Sequence, residues 1–117
     1  MASVAEVGSA PSAHIFRALA DPTRRAILDT LRGGQQPAGE IAARFSVSRP
    51  AISRHLRVLR QARLLTETRR GRERRYALNA APLKEVDQWL EDYRLFWTRK
   101  LTGLKQFVES RPRGRSS

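Results

Sequence analysis

Two short helical patterns separated by a brief interruption constrain the fold of this chain more than any other feature of its sequence. The first pattern opens at Pro37 and runs through Arg44, and residues 45–47 then break its spacing. Ser48 has a side-chain oxygen that can cap a second helix. Beyond it, apolar residues that would face the core recur at spacings of four and three: Ile52, Leu56 and Leu59. Two helices joined by a turn of about three residues form a helix-turn-helix, which we therefore predict here.

The opposite face of the second predicted helix carries mainly basic side chains: Arg49, Ser53, Arg54, Arg57 and Arg60. A recognition helix in the major groove of DNA needs short or forked polar side chains on its first two turns and an apolar rear face. Arg49 and Arg54 can each donate two hydrogen bonds to a guanine edge, which is worth about 1–3 kcal/mol of discrimination. For a helix considered alone, a solvated amphipathic surface is an equally good interpretation.

The segment after this helix favours the DNA-binding interpretation, because it changes to an extended pattern with a strongly basic turn. Residues 65–69 and 74–78 are predicted strands, and residues 70–73 form the turn between them. Five arginines lie within seven residues there, where Glu73 can fix the geometry of Arg74 or Arg75. A basic turn considered alone usually only keeps a hairpin soluble. Directly after a recognition helix, it can instead follow the DNA backbone or enter a narrow minor groove.

We therefore predict an interface for double-stranded DNA on this helix and the tip of the hairpin. Its residues are Ser48, Arg49, Pro50, Ser53, Arg54, His55, Arg57, Arg70, Arg72 and Arg74. The lone imidazole of His55 suits packing or a phosphate contact, and the same holds for His14. The net charge of +12, from 23 Lys and Arg against 11 Asp and Glu, agrees with a polyanionic partner.

The remaining sequence predicts one domain, residues 13–110, between a small polar arm, residues 1–12, and a basic tail, residues 111–117. Asp21 and Pro22 suit the N-cap and first turn of a helix that continues to about residue 31. Residues 82–109 form one long amphipathic pattern whose apolar face exceeds what so small a core can bury. The predicted fold class is mostly α with a small β-hairpin wing, a winged helix-turn-helix with long N- and C-terminal helices.

Composition and motifs exclude several other classes of protein. No cysteine is present, which excludes disulfides, thiolate metal sites and cysteine nucleophiles. The sequence has no HExxH, GxSxG or phosphate-binding glycine-rich motif, so we expect neither an enzyme nor a cofactor. No apolar stretch approaches the roughly 18 residues of a membrane span, and the N-terminus lacks the order of a signal peptide. We expect a soluble, cytoplasmic protein without a membrane partner.

Three strings give the chain a family resemblance: ADPTRRAIL at residues 20–28, SRPAISRHLRVL at residues 48–59, and Gly71-Arg72 ahead of Tyr76-Ala77-Leu78. Together they resemble the ArsR/SmtB family of bacterial winged-helix repressors over residues 13–108. The resemblance implies a homodimer built from the first and last helices, which binds a pseudo-palindromic operator, is released by an effector and is often autoregulatory.

The resemblance also indicates which apolar residues meet in such a dimer: Ile15, Phe16, Leu19, Leu90, Tyr93, Trp97, Leu101 and Leu104. Aromatic residues of the last helix can alternatively line an effector pocket between the two protomers: Trp89, Tyr93, Phe96 and Trp97. Interface packing is the commoner role for aromatic residues at helical spacing, and we assign them to it. Nothing in the sequence identifies an effector.

The chain departs from the metal-sensing members of that family. Their cysteine motif would fall at Pro37, Gly39 and Ala42, none of which can ligate a metal ion. Residues 82–109 contain no His, and the four carboxylates near the start of this range suit zinc, nickel or copper poorly on their own: Glu85, Asp87, Glu91 and Asp92. We therefore expect no metal site and no response to metal ions.

Other functions of a winged helix remain open at this point, namely RNA binding, protein contacts and DNA packaging without regard to sequence. A regulator should prefer its operator over random duplex by on the order of 10³ or more, whereas a packaging protein should not. A regulator that reads two half-sites about one helical turn apart should also be dimeric. Operator preference and oligomeric state therefore separate these interpretations.

Overall fold

Helices dominate the computed structural model, which describes residues 11–110. The helices are α1 (Ala13–Leu19), α2 (Pro22–Leu31), α3 (Ala38–Ala43), α4 (Arg49–Gln61) and α5 (Ala81–Ser110), and the strands are β1 (Gln36–Pro37), β2 (Leu65–Arg70) and β3 (Glu73–Leu78). The predicted fold class, mostly α with a small antiparallel sheet beside a helix-turn-helix, is confirmed. The predicted basic tail and all but the last two residues of the predicted arm lie outside the described residues.

Local capping fixes the starts of α2 and α4, as the sequence predicts. The side chain of Asp21 accepts a hydrogen bond from the backbone N–H of Arg24 at 3.0 Å, and Pro22 occupies the first turn of α2. The Ser48 hydroxyl oxygen accepts one from the backbone N–H of Ala51 at 3.2 Å, and a proline again follows in the first turn. These caps satisfy backbone donors that have no partner within their helix.

The helix predicted to open at Pro37 begins one residue later. Pro37 is extended, with φ −69° and ψ 152°, and belongs to β1, where it pairs with Arg75. The sheet therefore has three strands in the order β1-β3-β2 and is not the hairpin alone. A strand of two residues is too short to show periodicity, so the sequence does not predict it.

The hairpin turn is tighter than predicted. Strands β2 and β3 extend to Arg70 and Glu73, which face each other in the register, so only Gly71 and Arg72 remain between them. Gly71 has a φ of +60°, which glycine adopts without strain and which two-residue hairpin turns require. The short turn holds the basic side chains of both strands close to the tip.

The core lies between the inner faces of α1, α2, α3 and α4 and the sheet. Its largest fully buried side chains are Ile27, Ile41, Leu59 and Leu64. The predicted apolar stripe of α4 is buried, with Ile52, Leu56 and Leu59 each at most 4% exposed. Tyr76 of the hairpin is also buried, whereas Leu78 is only partly buried against the core. The recognition helix is therefore anchored along its rear face.

The two terminal helices of the domain differ in length, contrary to the prediction that both are long. Helix α5 has 30 residues, about 45 Å at 1.5 Å per residue, but α1 has only seven. Ser12 is extended and precedes α1, and Asp21 starts the next helix soon after α1 ends. No helix within residues 11–110 is long and apolar enough to cross a membrane.

Candidate nucleic-acid interface

The outward face of α4 presents basic and polar side chains, and the rear face of the same helix is buried in the core. Arg49, Ser53, Arg54 and Arg57 are all exposed. None of these side chains forms a hydrogen bond or ion pair with another residue of the 11–110 range. Their donors are therefore available for a polyanion, while the buried rear face fixes the direction in which they project. Pro50 is exposed beside them, and the Ser48 hydroxyl is occupied as the cap.

Two further side chains of α4 are engaged inside the protein. A guanidinium nitrogen of Arg60 lies 3.1 Å from a carboxylate oxygen of Glu67, which ties α4 to β2. The Nδ1 atom of His55 lies 3.2 Å from a guanidinium nitrogen of Arg24 and 3.9 Å from a carboxylate oxygen of Asp21. Because a guanidinium can only donate, Nδ1 accepts, and the ring proton is on Nε2.

The position of His55 supports the packing role expected from the sequence and excludes a DNA contact through its Nδ1 atom. Its side chain is only 19% exposed and faces α2, so its Nδ1 is not available to DNA. The sequence also suggests no carboxylate near either histidine, yet Asp21 lies beside this one. Residues 34 positions apart come together because α4 packs across the N-terminal end of α2, which no local pattern indicates.

Arg24 is a structural residue that the apolar periodicity of the sequence does not indicate. Its guanidinium donates to the backbone carbonyls of Ala18 at 2.9 Å and Arg17 at 2.6 Å, at the C-terminal end of α1. Its backbone N–H lowers the pKa of the Asp21 carboxyl below its ordinary value, and the charge of the Arg24 guanidinium acts in the same direction. Arg24 thus joins α1, the start of α2 and the recognition helix. The string Asp-Pro-Thr-Arg is the signal, since it places an arginine on the first turn of a capped helix.

The hairpin presents a second group of basic side chains. Arg69, Arg70, Arg72 and Arg74 are exposed, whereas Arg75 donates to Glu73 at 3.0 Å and to Gln35 at 3.2 Å. The expectation that Glu73 fixes a neighbouring arginine is confirmed for Arg75. A groove of about 510 Å³ separates the hairpin from the N-terminal ends of α3 and α4, and Arg49, Arg72 and Arg74 line it together. Of the hairpin arginines predicted to contact DNA, Arg72 and Arg74 therefore lie near the start of α4, whereas Arg70 lies outside this groove.

An apolar surface runs from α1 along α5. Phe16 packs edge-to-face on Trp89 with ring centroids 5.3 Å apart, and Trp89 packs in the same way on Tyr93 at 5.2 Å. The surface continues with large side chains that are 37–64% exposed: Leu90, Phe96, Trp97, Leu101, Leu104, Phe107 and Val108. Apolar patches of this extent on one helix usually mark an interaction site.

Two of the residues predicted at a dimer interface do not fit this surface. Ile15 is 2% exposed and belongs to the core of its own subunit, so it has no surface left for a partner. Leu19 is partly buried against the same core. Helix α1 is short and turns these two side chains inward, while Phe16 points towards α5.

The described residues contain no cluster suited to a metal ion. Within residues 11–110, no group of three or more His, Asp or Glu side chains is arranged to hold one. Two of the five carboxylates of α5, those of Asp87 and Glu91, pair with Arg94. Both acids are therefore already engaged with a cation of their own helix.

Comparison with known proteins agrees with this geometry. A family model described as a helix-turn-helix domain matches residues 19–68, which span α2 to β2. The transcriptional repressor SdpR of Bacillus subtilis is 42% identical over 80 residues, which cover 68% of this chain and 89% of SdpR. The HTH-type transcriptional regulator Rv2034 of Mycobacterium tuberculosis is 44% identical over 95 residues, which cover 81% of this chain and 86% of the relative.

Solved structures give the same result. The crystal structure of an ArsR family transcriptional regulator matches with a TM-score of 0.67 and 34% identity, covering 73% of this chain and 93% of that chain. An ArsR-like transcriptional regulator from Rhodococcus sp. RHA1 matches with a TM-score of 0.63 and 39% identity, covering 85% and 93%. The chain therefore belongs to the ArsR/SmtB family of helix-turn-helix transcriptional regulators, which bind DNA and are not enzymes.

Proposed function

We propose that this protein is a homodimeric repressor that binds a pseudo-palindromic operator and inserts one α4 helix into the major groove of each half-site. The observation that carries the proposal is the face of α4. Arg49, Arg54 and Arg57 are exposed and without partners in the 11–110 range, while the rear face of the helix is buried. A helix with this combination presents unoccupied donors from a fixed position, as a recognition helix in the major groove does.

The apolar surface of α1 and α5 supports the homodimer. Operator recognition by this motif usually combines two half-sites about one helical turn apart, so a regulator needs two joined copies of α4. Phe16, Trp89 and Tyr93 form a continuous aromatic cluster that couples α1 to α5. Aromatic residues are enriched at protein interfaces, and a second copy would cover this one.

We assign the DNA contacts to two classes. Arg49, Ser53 and Arg54 contact base edges, because they lie on the first two turns of α4. The remaining residues contact phosphates or the minor groove: Arg57, Arg70, Arg72 and Arg74. Ser48 holds the start of the helix through its cap, and Pro50 shapes the first turn. We also propose that release from DNA does not depend on a metal ion, because the chain has no cysteine and two of the acids on α5 are paired with Arg94.

The test of this function is footprinting on the DNA upstream of the protein's own gene, combined with a salt titration. A repressor of this kind protects a two-fold symmetric site and prefers it over random duplex by about 10³ or more. Uniform protection without a preferred site would instead support a protein that packages DNA.

Replacement of Arg54 tests the contact to base edges. Arg54→Ala is expected to reduce the ratio of operator to random affinity by roughly 5- to 150-fold for each half-site, since a bidentate pair with guanine is worth about 1–3 kcal/mol. Binding curves on both duplexes measure the ratio. Arg32→Ala is the matched control, because Arg32 is an exposed arginine at the end of α2 and belongs neither to α4 nor to the hairpin. Equal losses on both duplexes would contradict a base contact by Arg54.

Replacement of the hairpin arginines tests the phosphate contacts. Arg70→Ala and Arg72→Ala are each expected to weaken binding to operator and random duplex alike. Each should also lower the slope of log affinity against log salt concentration by about 0.9 for every phosphate that the variant no longer neutralises. The corresponding lysine variants retain the charge and should retain most of the slope. An alanine variant with the wild-type slope would remove that arginine from the phosphate contacts.

A further inference from the structure

A basic pocket of about 390 Å³ lies between α1 and one side of α4, away from the hairpin. Its polar wall consists of Arg17, Arg24, Arg54, His55, Arg57 and Gln61. No aspartate or glutamate lines it, so the charged side chains on its wall are all arginines. A pocket with such a wall suits an anion that accepts several hydrogen bonds.

The arginines of this pocket differ in whether their guanidinium groups already have hydrogen-bond partners. Arg24 is engaged, because its guanidinium donates to two carbonyls of α1 and contacts His55. The guanidinium groups of Arg17, Arg54 and Arg57 have no carboxylate or carbonyl partner within residues 11–110. Three unneutralised charges on one small wall repel each other, and a bound anion would relieve that repulsion.

The pocket lies on the other side of α4 from the hairpin. Ala51, Arg54, His55 and Val58 line the pocket and share one side of the helix, since they are three or four residues apart. At about 100° per residue, Arg49 and Arg60 lie roughly opposite to them. Arg49 shares a groove with the hairpin, and Arg60 pairs with Glu67 of β2. A helix in the major groove lies between two phosphate backbones, and the hairpin is near only one of them.

We propose that this pocket binds a backbone phosphate of DNA on the side of α4 that the hairpin does not reach, with Arg17 of α1 as its principal ligand outside the helix-turn-helix and Arg57 as its ligand on α4, so that Arg54 remains assigned to base edges. The inference rests on the proposed function and extends it, because it assigns α1 a role in holding DNA. Arg17 follows Phe16, which belongs to the apolar surface proposed for the dimer. The phosphate contact and the dimer contact therefore come from adjacent residues of one short helix.

The test is a salt titration of binding to random duplex, which needs no operator. Arg17→Gln is expected to lower the salt slope by about 0.9 for each pocket, hence by about 1.8 for a dimer. Its affinity should fall roughly tenfold or more for each pocket, and equally on operator DNA, because a phosphate contact has no sequence information. Arg17→Lys should retain the slope, and Arg32→Gln, which removes the same charge from the end of α2, should leave it unchanged.

Thermal unfolding of the free protein separates a contact from a structural role. Only the backbone carbonyl of Arg17 takes part in the Arg24 network, so Arg17→Gln should unfold at the wild-type temperature. A wild-type slope for Arg17→Gln would overturn the proposal. If the slope is unchanged while inorganic phosphate binds the wild type and not Arg17→Gln, the ligand is a free phosphate and the assignment to DNA is also overturned.

The same data distinguish the pocket from the proposed function. A wild-type protein without operator preference would overturn the repressor function. A lower slope of Arg17→Gln on random duplex would still support the phosphate pocket in that case. Operator preference together with a wild-type slope for Arg17→Gln would support the repressor function and overturn the phosphate pocket.

Discussion

Trp97→Asp is expected to convert the proposed homodimer into monomers and to abolish tight binding to the operator. Trp97 is 64% exposed and lies in the middle of the apolar face of α5. Loss of a tryptophan at the centre of an interface costs about 2–4 kcal/mol, and an unpaired carboxylate buried there adds at least about 2 kcal/mol. The dimer dissociation constant should therefore rise roughly a thousandfold or more.

Light scattering or sedimentation of the free protein measures this dissociation. Thr102→Asp is the matched control, because it introduces the same charge into the same helix at an exposed position outside the apolar stripe. The control should remain dimeric. An intact Trp97→Asp dimer would show that the interface lies elsewhere. Dissociation of both variants would instead indicate that a new carboxylate destabilises α5 itself.

DNA binding of Trp97→Asp gives an independent readout. A monomer retains the basic face of α4 and the hairpin, so its affinity for random duplex should fall far less than its affinity for the operator. The operator requires two half-sites to be occupied together, which linkage through the dimer makes favourable. Equal losses on both duplexes would contradict a role for this surface in joining two recognition helices.

The parts of the fold that the sequence predicts correctly are determined by neighbouring residues. Asp21 and Ser48 cap their helices with bonds that span three residues, and the stripe of α4 repeats within two turns. Gly71 permits the hairpin turn by its own conformation. Such features depend on chain segments of at most about a dozen residues, and their patterns are visible without knowledge of the rest of the molecule.

The parts that the sequence does not predict depend on contacts between distant residues. β1 exists because Gln36 and Pro37 meet β3, almost forty residues later in the chain. His55 faces Asp21 and Arg24 because α4 crosses the start of α2. Ile15 is visibly apolar in the sequence. Its burial in the core of its own subunit, rather than at a dimer interface, depends on contacts between distant residues and could not be predicted. Helical spacing identifies an apolar face but not the neighbour that covers it.

The anchoring of the recognition helix depends on contacts of this second kind. Leu59 is fully buried on the rear face of α4, which packs against α1, α2 and β2. Interiors are packed so closely that surrounding side chains can fill only part of a new cavity. Truncation of Leu59 to alanine would leave a cavity lined by apolar atoms, and water does not fill such a cavity.

Leu59→Ala is therefore expected to lower the free energy of unfolding by about 2–5 kcal/mol, a large part of the roughly 5–15 kcal/mol typical of small domains. Urea denaturation at several protein concentrations measures it. Leu95→Ala is the control, since Leu95 is 54% exposed on α5 and its loss should change the value by no more than about 0.5 kcal/mol. The Leu59 effect should be the same at every concentration, because this side chain lies inside one subunit, whereas the Trp97→Asp effect should grow as dimers form. The presentation of Arg49 and Arg54 depends on the buried face of α4. Similar values for the two leucine variants would mean that this face does not hold the helix in place.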